Sequence, residues 1–200
     1  MELPAVGVFI FVFFAGNNRF DLVPLFLLGI WQIHYLNRAF IFPFRIRSTT
    51  RQMPLVIPLV GIAFNTLNAY TNALWIGSFG IYAMDWIIDP RFLLGIALFF
   101  GGWIGNLHSD TMLRNLRRDN KIGYKIPNGK LFRWVSSPNY LCEIIEWAGW
   151  AIATWSTAGL AFSIFTAANL VPRAISHHHW YRNNFKTYPS GRKALIPYLL

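Results

Sequence analysis

Asn106, Asp110, Arg114 and Arg117 stand at successive steps of four, four and three residues. On a helix that spacing gathers all four side chains on one side. Asn139, Glu143 and Glu146 repeat the pattern at steps of four and three. Two polar stripes joined by a basic loop suggest one anionic ligand, held where membrane meets water. His34, Tyr35 and Arg38 lie within one turn, and Arg173, His177 and Tyr181 share a face at steps of four. Tyr35 has the chemistry to donate a proton to a substrate oxygen, although its position alone favours an aromatic-belt tyrosine. Each ionisable group at a bilayer centre costs about 2.5–3.5 kcal/mol, so the set, with Glu2 included, points to a cavity.

Other chemistries find little support. His177, His178 and His179 are consecutive, and adjacent helical residues point about 100° apart, so they cannot share one metal. No HExxH or CxxC pattern accompanies them, and no GxGxxG or GxxxxGK[ST] sequence offers a nucleotide loop. No metal site is expected. Cys142 is the single cysteine, which excludes an internal disulfide, and it reads as a packing residue.

The elements that must position these residues are apolar. Of 200 residues, 54% are hydrophobic and only 13% charged, against about 25% charged in soluble domains. The formal charge of +10 sits in loops between apolar runs, which suits membrane orientation rather than nucleic acid. Six runs are expected, at roughly 3–16, 21–44, 54–74, 91–108, 139–155 and 157–174. They predict an all-α, polytopic bundle of about six transmembrane helices. Pro43 is expected to stop or kink the second run. The third carries Asn65, Asn68 and Tyr70, and the fourth carries Gly95, Gly101, Gly102 and Gly105, which permit close helix approach. Residues 118–138 form a long loop whose aromatic residues Tyr124, Phe132 and Trp134 argue for order. Six crossings put both ends on one side, with the basic loops 45–53 and 109–138 and the tail 173–200. The positive-inside rule makes that side cytoplasmic, in a bacterial inner membrane or the endoplasmic reticulum.

The segments NLHSDTMLRNLRR, GYKIPNGKLFRWVS, NYLCEIIEWAGWAIATWS, PRAISHHHWY and YPSGRKALIPYLL together resemble the steroid 5α-reductase (3-oxo-5α-steroid 4-dehydrogenase) family. HYLNRAF and the opening ELP extend the resemblance to nearly the whole chain. It implies a seven-helix membrane reductase that uses NADPH to saturate the 4,5 double bond of a 3-oxo-4-ene steroid, with hydride to C5 and a proton to C4. It implies that Glu2 and Tyr35 hold the substrate carbonyl. It also implies cofactor contacts at Arg38, Asn106, Asp110, Arg117, Tyr124, Asn139, Glu143, Arg173, His177 and Tyr181. Lys125 stands where close relatives have arginine; it keeps the charge and loses the bidentate fork. The family has a further helix before ELP and a glutamine directly before the glutamate. Met1 stands there in this chain, so a truncated sequence, a fragment or a short member without that first helix is expected, the steroid cavity being open to lipid where the helix is lacking. Residues 1–200 are read as one domain, with the cofactor part mainly in 106–200.

Two other function classes share parts of this pattern. Polyprenol and enoyl-CoA reductases of the same superfamily have similar cofactor residues. An isoprenylcysteine-type methyltransferase using S-adenosylmethionine has a similar topology, but its Arg-His-Pro helix start is Ser-Ser-Pro-Asn here. A non-catalytic membrane subunit that binds lipid or a partner is a third class. The expected partners are a hydrophobic enone and membrane lipid, with no nucleic acid. The pattern is compatible with a monomer and does not fix an oligomeric state.

Overall fold

Each apolar run folds as a helix, and its local chemistry explains where it starts. The computed structural model describes residues 1–45, 54–116 and 124–200. The longer helices are α1 (Leu3–Ala15), α2 (Leu22–Leu36), α3 (Val56–Leu74), α4 (Pro90–Leu116), α5 (Pro138–Thr154) and α6 (Thr157–Asn184). Among the described residues no strand forms; a lone parallel bridge pairs Val135 with Lys193. The fold is all-α. Three helical stretches, Leu22–Arg45, Pro90–Leu116 and Thr157–Asn184, are long and apolar enough to cross a membrane.

Proline and capping residues set the helix starts. Asp89 accepts the Arg91 backbone N–H at 2.8 Å, and Pro90 follows it in the position where no donor is needed. Ser156 accepts the Gly159 N–H at 2.9 Å and so opens α6. Pro43 does not end its helix. A π-helical turn over Asn37–Ile41 carries the chain into a last turn, Phe42–Arg45, with the Phe42 N–H reaching back to the Asn37 carbonyl. A wide turn is one way for a helix to absorb a residue that has no N–H. Pro172 likewise lies inside α6, which runs past the expected end at 174 to Asn184.

The chain divides into two compact units, residues 1–93 with 151–160, and residues 94–150 with 161–200. In the first, α1 packs on α2 and α3. Phe9 stacks on Trp31 with ring centroids 4.6 Å apart, and the Trp31 indole donates to the Ala5 carbonyl at 2.9 Å. In the second, α4 and α5 run antiparallel at close range. A Cβ placed on Gly105 would meet the Cys142 sulfur at 2.6 Å, and one on Gly149 would meet the Phe99 nitrogen at 2.5 Å. Gly101 has open space around it, so it faces away from the expected glycine seam.

Candidate functional site

Two groups of polar side chains emerge, one in each unit. The first surrounds Tyr35. On α2, Trp31 and Tyr35 are one turn apart, their rings 4.7 Å between centroids. His34 meets the Tyr35 ring edge-on at 4.9 Å. Tyr35 is only 2% exposed, an expensive place for a hydroxyl unless it is hydrogen-bonded. Asn68 of α3 donates its side-chain N–H to the Tyr35 oxygen at 3.4 Å. Asn72, one turn on, donates to the Asn68 side-chain oxygen at 3.0 Å. One turn the other way, Asn65 donates to the Met1 carbonyl at 3.2 Å. Asn65, Asn68 and Asn72 thus form a buried polar stripe on α3. It holds Tyr35 at its middle and Met1 at its end.

Glu2 is half-buried at the start of α1, on the residue following the Met1 carbonyl that Asn65 holds. Arg38 lies in the π-helical turn, half-buried, its guanidinium 4.8 Å from the Phe42 ring centroid. In the sequence Asn65 and Asn68 stand out only as polar residues in an apolar run, with no role assigned to them, and Asn72 is not singled out. The available signal was three carboxamides at steps of three and four inside an apolar run.

The second group extends the glycine seam of α4 and α5. Beyond Gly105 the seam turns polar. The Asn106 amide donates to the Asn139 carbonyl at 3.0 Å and to the Glu143 carboxylate at 3.3 Å. The Asn139 amide donates to the Asp110 carboxylate at 3.3 Å. Asn106 is 3% exposed, whereas Asp110, Asn139 and Glu143 are partly accessible. Buried glycines let the two backbones close, and the next turns therefore bring these four side chains together. Glu146, the last member of the expected stripe, is instead fully buried beside Gly102. Arg114 turns to the Thr111 hydroxyl at 2.8 Å. Arg117 lies outside the described residues.

The α6 residues separate. Tyr140 of α5 stacks on His177 at 5.6 Å. Arg173 is exposed. Tyr181 stacks on Tyr188 of the tail at 5.4 Å, nearly parallel. Tyr124 is exposed and meets Trp180 edge-on at 4.9 Å, and Lys125 is half-buried. Carboxamides and carboxylates in such a cluster can hold hydroxyl and amide groups, the stacked rings can cover a planar group, and the cations suit phosphates.

A partly buried knot ties down the segments around this group. The Ser136 hydroxyl lies 2.6 Å from His178 Nδ1 and 2.6 Å from the Tyr188 hydroxyl, and it donates to the Lys193 carbonyl at 3.0 Å. Arg192, 3% exposed, donates to the Pro127 carbonyl at 3.0 Å. Neither Ser136 nor Arg192 was visible as a partner from the sequence, because these contacts join positions about 40 to 65 residues apart.

A family model described as 3-oxo-5-alpha-steroid 4-dehydrogenase matches residues 51–200. The chain is 45% identical over 174 residues to 3-oxo-5-alpha-steroid 4-dehydrogenase 1 of Bos taurus, covering 87% of this chain and 67% of the relative. It is 45% identical over 202 residues to steroid 5-alpha-reductase DET2 of Solanum lycopersicum, covering 100% of this chain and 78% of the relative. The 3-oxo-5-alpha-steroid 4-dehydrogenase 1 of Homo sapiens is 45% identical over 200 residues, with 99% and 77% covered.

Proposed function

Since the chain belongs to the 3-oxo-5-alpha-steroid 4-dehydrogenase family, we propose that it is a membrane oxidoreductase that saturates the 4,5 double bond of 3-oxo-4-ene steroids with NADPH. The observation that carries this reading is the buried Tyr35 hydroxyl, its ring held among aromatic side chains and its oxygen held by Asn68, the donor that an enone carbonyl requires. Reducing an enone builds negative charge on its carbonyl oxygen. A phenol fixed in a water-poor site stabilises that charge at little reorganisation cost. Tyr35 holds the oxygen, and Glu2 shares or orients that contact.

NADPH, when bound, supplies the hydride. The residues of the second group fit such a molecule by type. Asn106, Asp110, Asn139 and Glu143 suit its carboxamide and ribose hydroxyls. Lys125, Arg117 and Arg173 suit its phosphates, including the 2′-phosphate that distinguishes it from NADH. Arg38, Tyr124, His177 and Tyr181 complete the proposed contacts. Residues 1–200 then serve one reductase domain, with the basic loops on the cytoplasmic side of the membrane.

The relatives' names favour steroids over polyprenol or enoyl-CoA substrates. The purified chain is expected to oxidise NADPH only with a 3-oxo-4-ene steroid present. It is also expected to gain thermal stability from NADPH and none from S-adenosylmethionine. Stabilisation by NADPH with no turnover of any such steroid rejects the substrate assignment.

A further inference from the structure

We infer that Asn68 is a positioning residue for the Tyr35 hydroxyl, and that Asn72 fixes which way the Asn68 amide points. The inference rests on the proposed role of Tyr35 and adds to it the groups that tune the phenol. An asparagine amide has a donor end and an acceptor end, and either end can face a hydroxyl. Here the choice is made by a second amide. The Asn72 N–H donates at 3.0 Å to the Asn68 side-chain oxygen, and again at 3.0 Å to the Asn68 backbone carbonyl. With its oxygen held toward Asn72, Asn68 presents its N–H to the Tyr35 oxygen at 3.4 Å. All three residues are buried, none more than 6% exposed, so water does not compete for these bonds.

The direction of donation matters. A donor aimed into the phenol oxygen draws electron density from the O–H and makes its proton a better donor to a carbonyl. Chains of hydrogen bonds strengthen one another in this sense. An acceptor at position 68 would do the reverse, by taking the Tyr35 proton for itself. The Asn72–Asn68–Tyr35 relay therefore sets polarity as well as position. Its reach is one turn of α3, from Asn68 to Asn72, across to α2. The ring of Tyr35 is held separately, by Trp31 and His34, so loss of the amide changes the hydroxyl more than the ring.

The test compares Asn68→Ala, Asn68→Asp and Asn72→Leu in the full chain, reading steroid turnover against pH, steroid KM, NADPH affinity and thermal melting. Removing the donor is expected to lower kcat roughly three- to tenfold while NADPH affinity stays unchanged. Asn68→Asp is the sharper variant. Its carboxyl donates to Tyr35 while protonated and withdraws the proton once ionised. Its kcat is expected to fall as pH rises through a titration absent from the parent. His34, packed on the Tyr35 ring, and Glu2, at the start of the α1 helix packed on α2 and α3, are common to both chains and cancel in the comparison. In a Tyr35→Phe background, Asn68→Ala is expected to cause no further loss of kcat.

Parent-like kcat and pH profile in Asn68→Asp would overturn the inference while leaving the reductase reading intact. Equal losses from Asn68→Ala in the parent and in the Tyr35→Phe background would overturn it too. A parent that turns over no 3-oxo-4-ene steroid removes the reductase reading and the inference together. Should Asn68→Ala not fold, Asn72→Leu keeps the donor and frees its orientation. A kcat at the parent level in that variant overturns the inference; a lowered kcat with unchanged NADPH affinity supports it.

Discussion

Gly102 of α4 sits so close to Glu146 of α5 that a Cβ on the glycine would fall 2.5 Å from the Glu146 nitrogen and 2.8 Å from its Cα. Those neighbours are backbone and cannot rotate aside. Gly102→Ala is therefore expected to push the helices apart and destabilise by about 1–3 kcal/mol, the range for overpacked cores. Gly101→Ala meets open space and is expected to be neutral or to stabilise by up to about 1 kcal/mol through helix propensity. Thermal melting of the two variants in one detergent checks the contrast.

The polar cluster one turn beyond that seam should answer to its amide. Asn106→Leu fills similar space and leaves the Asn139 carbonyl and the Glu143 carboxylate without this donor. Losing a hydrogen bond to a charged acceptor typically costs about 1.5–3 kcal/mol. The expected outcome is a lower melting temperature and NADPH affinity weakened at least about tenfold, read by fluorescence titration.

Asp89 gives a pH-dependent prediction. Hydrogen bonds from the Arg91 side chain, then from the Arg91 backbone, hold its carboxyl down at about 2, below the usual carboxylate range. A depressed folded-state value means that its contribution to stability is complete above the unfolded value of about 3.9. The contribution is lost as pH falls toward the folded value. Asp89→Asn should thus lower the melting temperature at pH 7, with the gap to the parent closing as pH drops from about 4 to 2. Both side chains are half-buried and still reach solvent, so the effect should also shrink with added salt.

The Ser136 knot predicts how the tail is held. Ser136→Ala removes contacts to His178, Tyr188 and Lys193 together. It is expected to destabilise by about 1–3 kcal/mol and to speed tryptic cleavage at Lys186, Arg192 or Lys193. Tyr188→Phe should show a smaller change in the same direction. Unchanged proteolysis in both would mean that the backbone bonds joining Trp134, Ser136 and Ser137 to Lys193 and Ala194 hold the tail without the knot.

Much of this was legible in the sequence because helical periodicity reports faces. Steps of four place Asn106 with Asp110 and Asn139 with Glu143, and the structure joins the two pairs. The same rule put Glu146 on the stripe, but periodicity cannot tell a cavity wall from a helix contact. Gly102, opposite, decided that Glu146 is buried. The spacing of Arg173, His177 and Tyr181 did fall on one helix, yet Tyr140 and Tyr188 claim His177 and Tyr181 separately. Pro43 is expected to stop or kink its helix; the helix continues through it to Arg45 by way of a π-helical turn. Asn68 was visible as a carboxamide in an apolar run, but which residue it bonds depends on the packing of α3 against α2. No spacing within α3 encodes that.

The most direct test follows the hydride. The purified chain is given NADPH deuterated on its nicotinamide ring at the transferring position, together with a 3-oxo-4-ene steroid, and the product is analysed by mass spectrometry and NMR. The expected product is a saturated 3-oxo steroid carrying deuterium at C5 and solvent hydrogen at C4, formed far more slowly by Tyr35→Phe although that variant still binds NADPH. A product without deuterium at C5, or equal rates for Tyr35→Phe and the parent, would contradict the proposed mechanism.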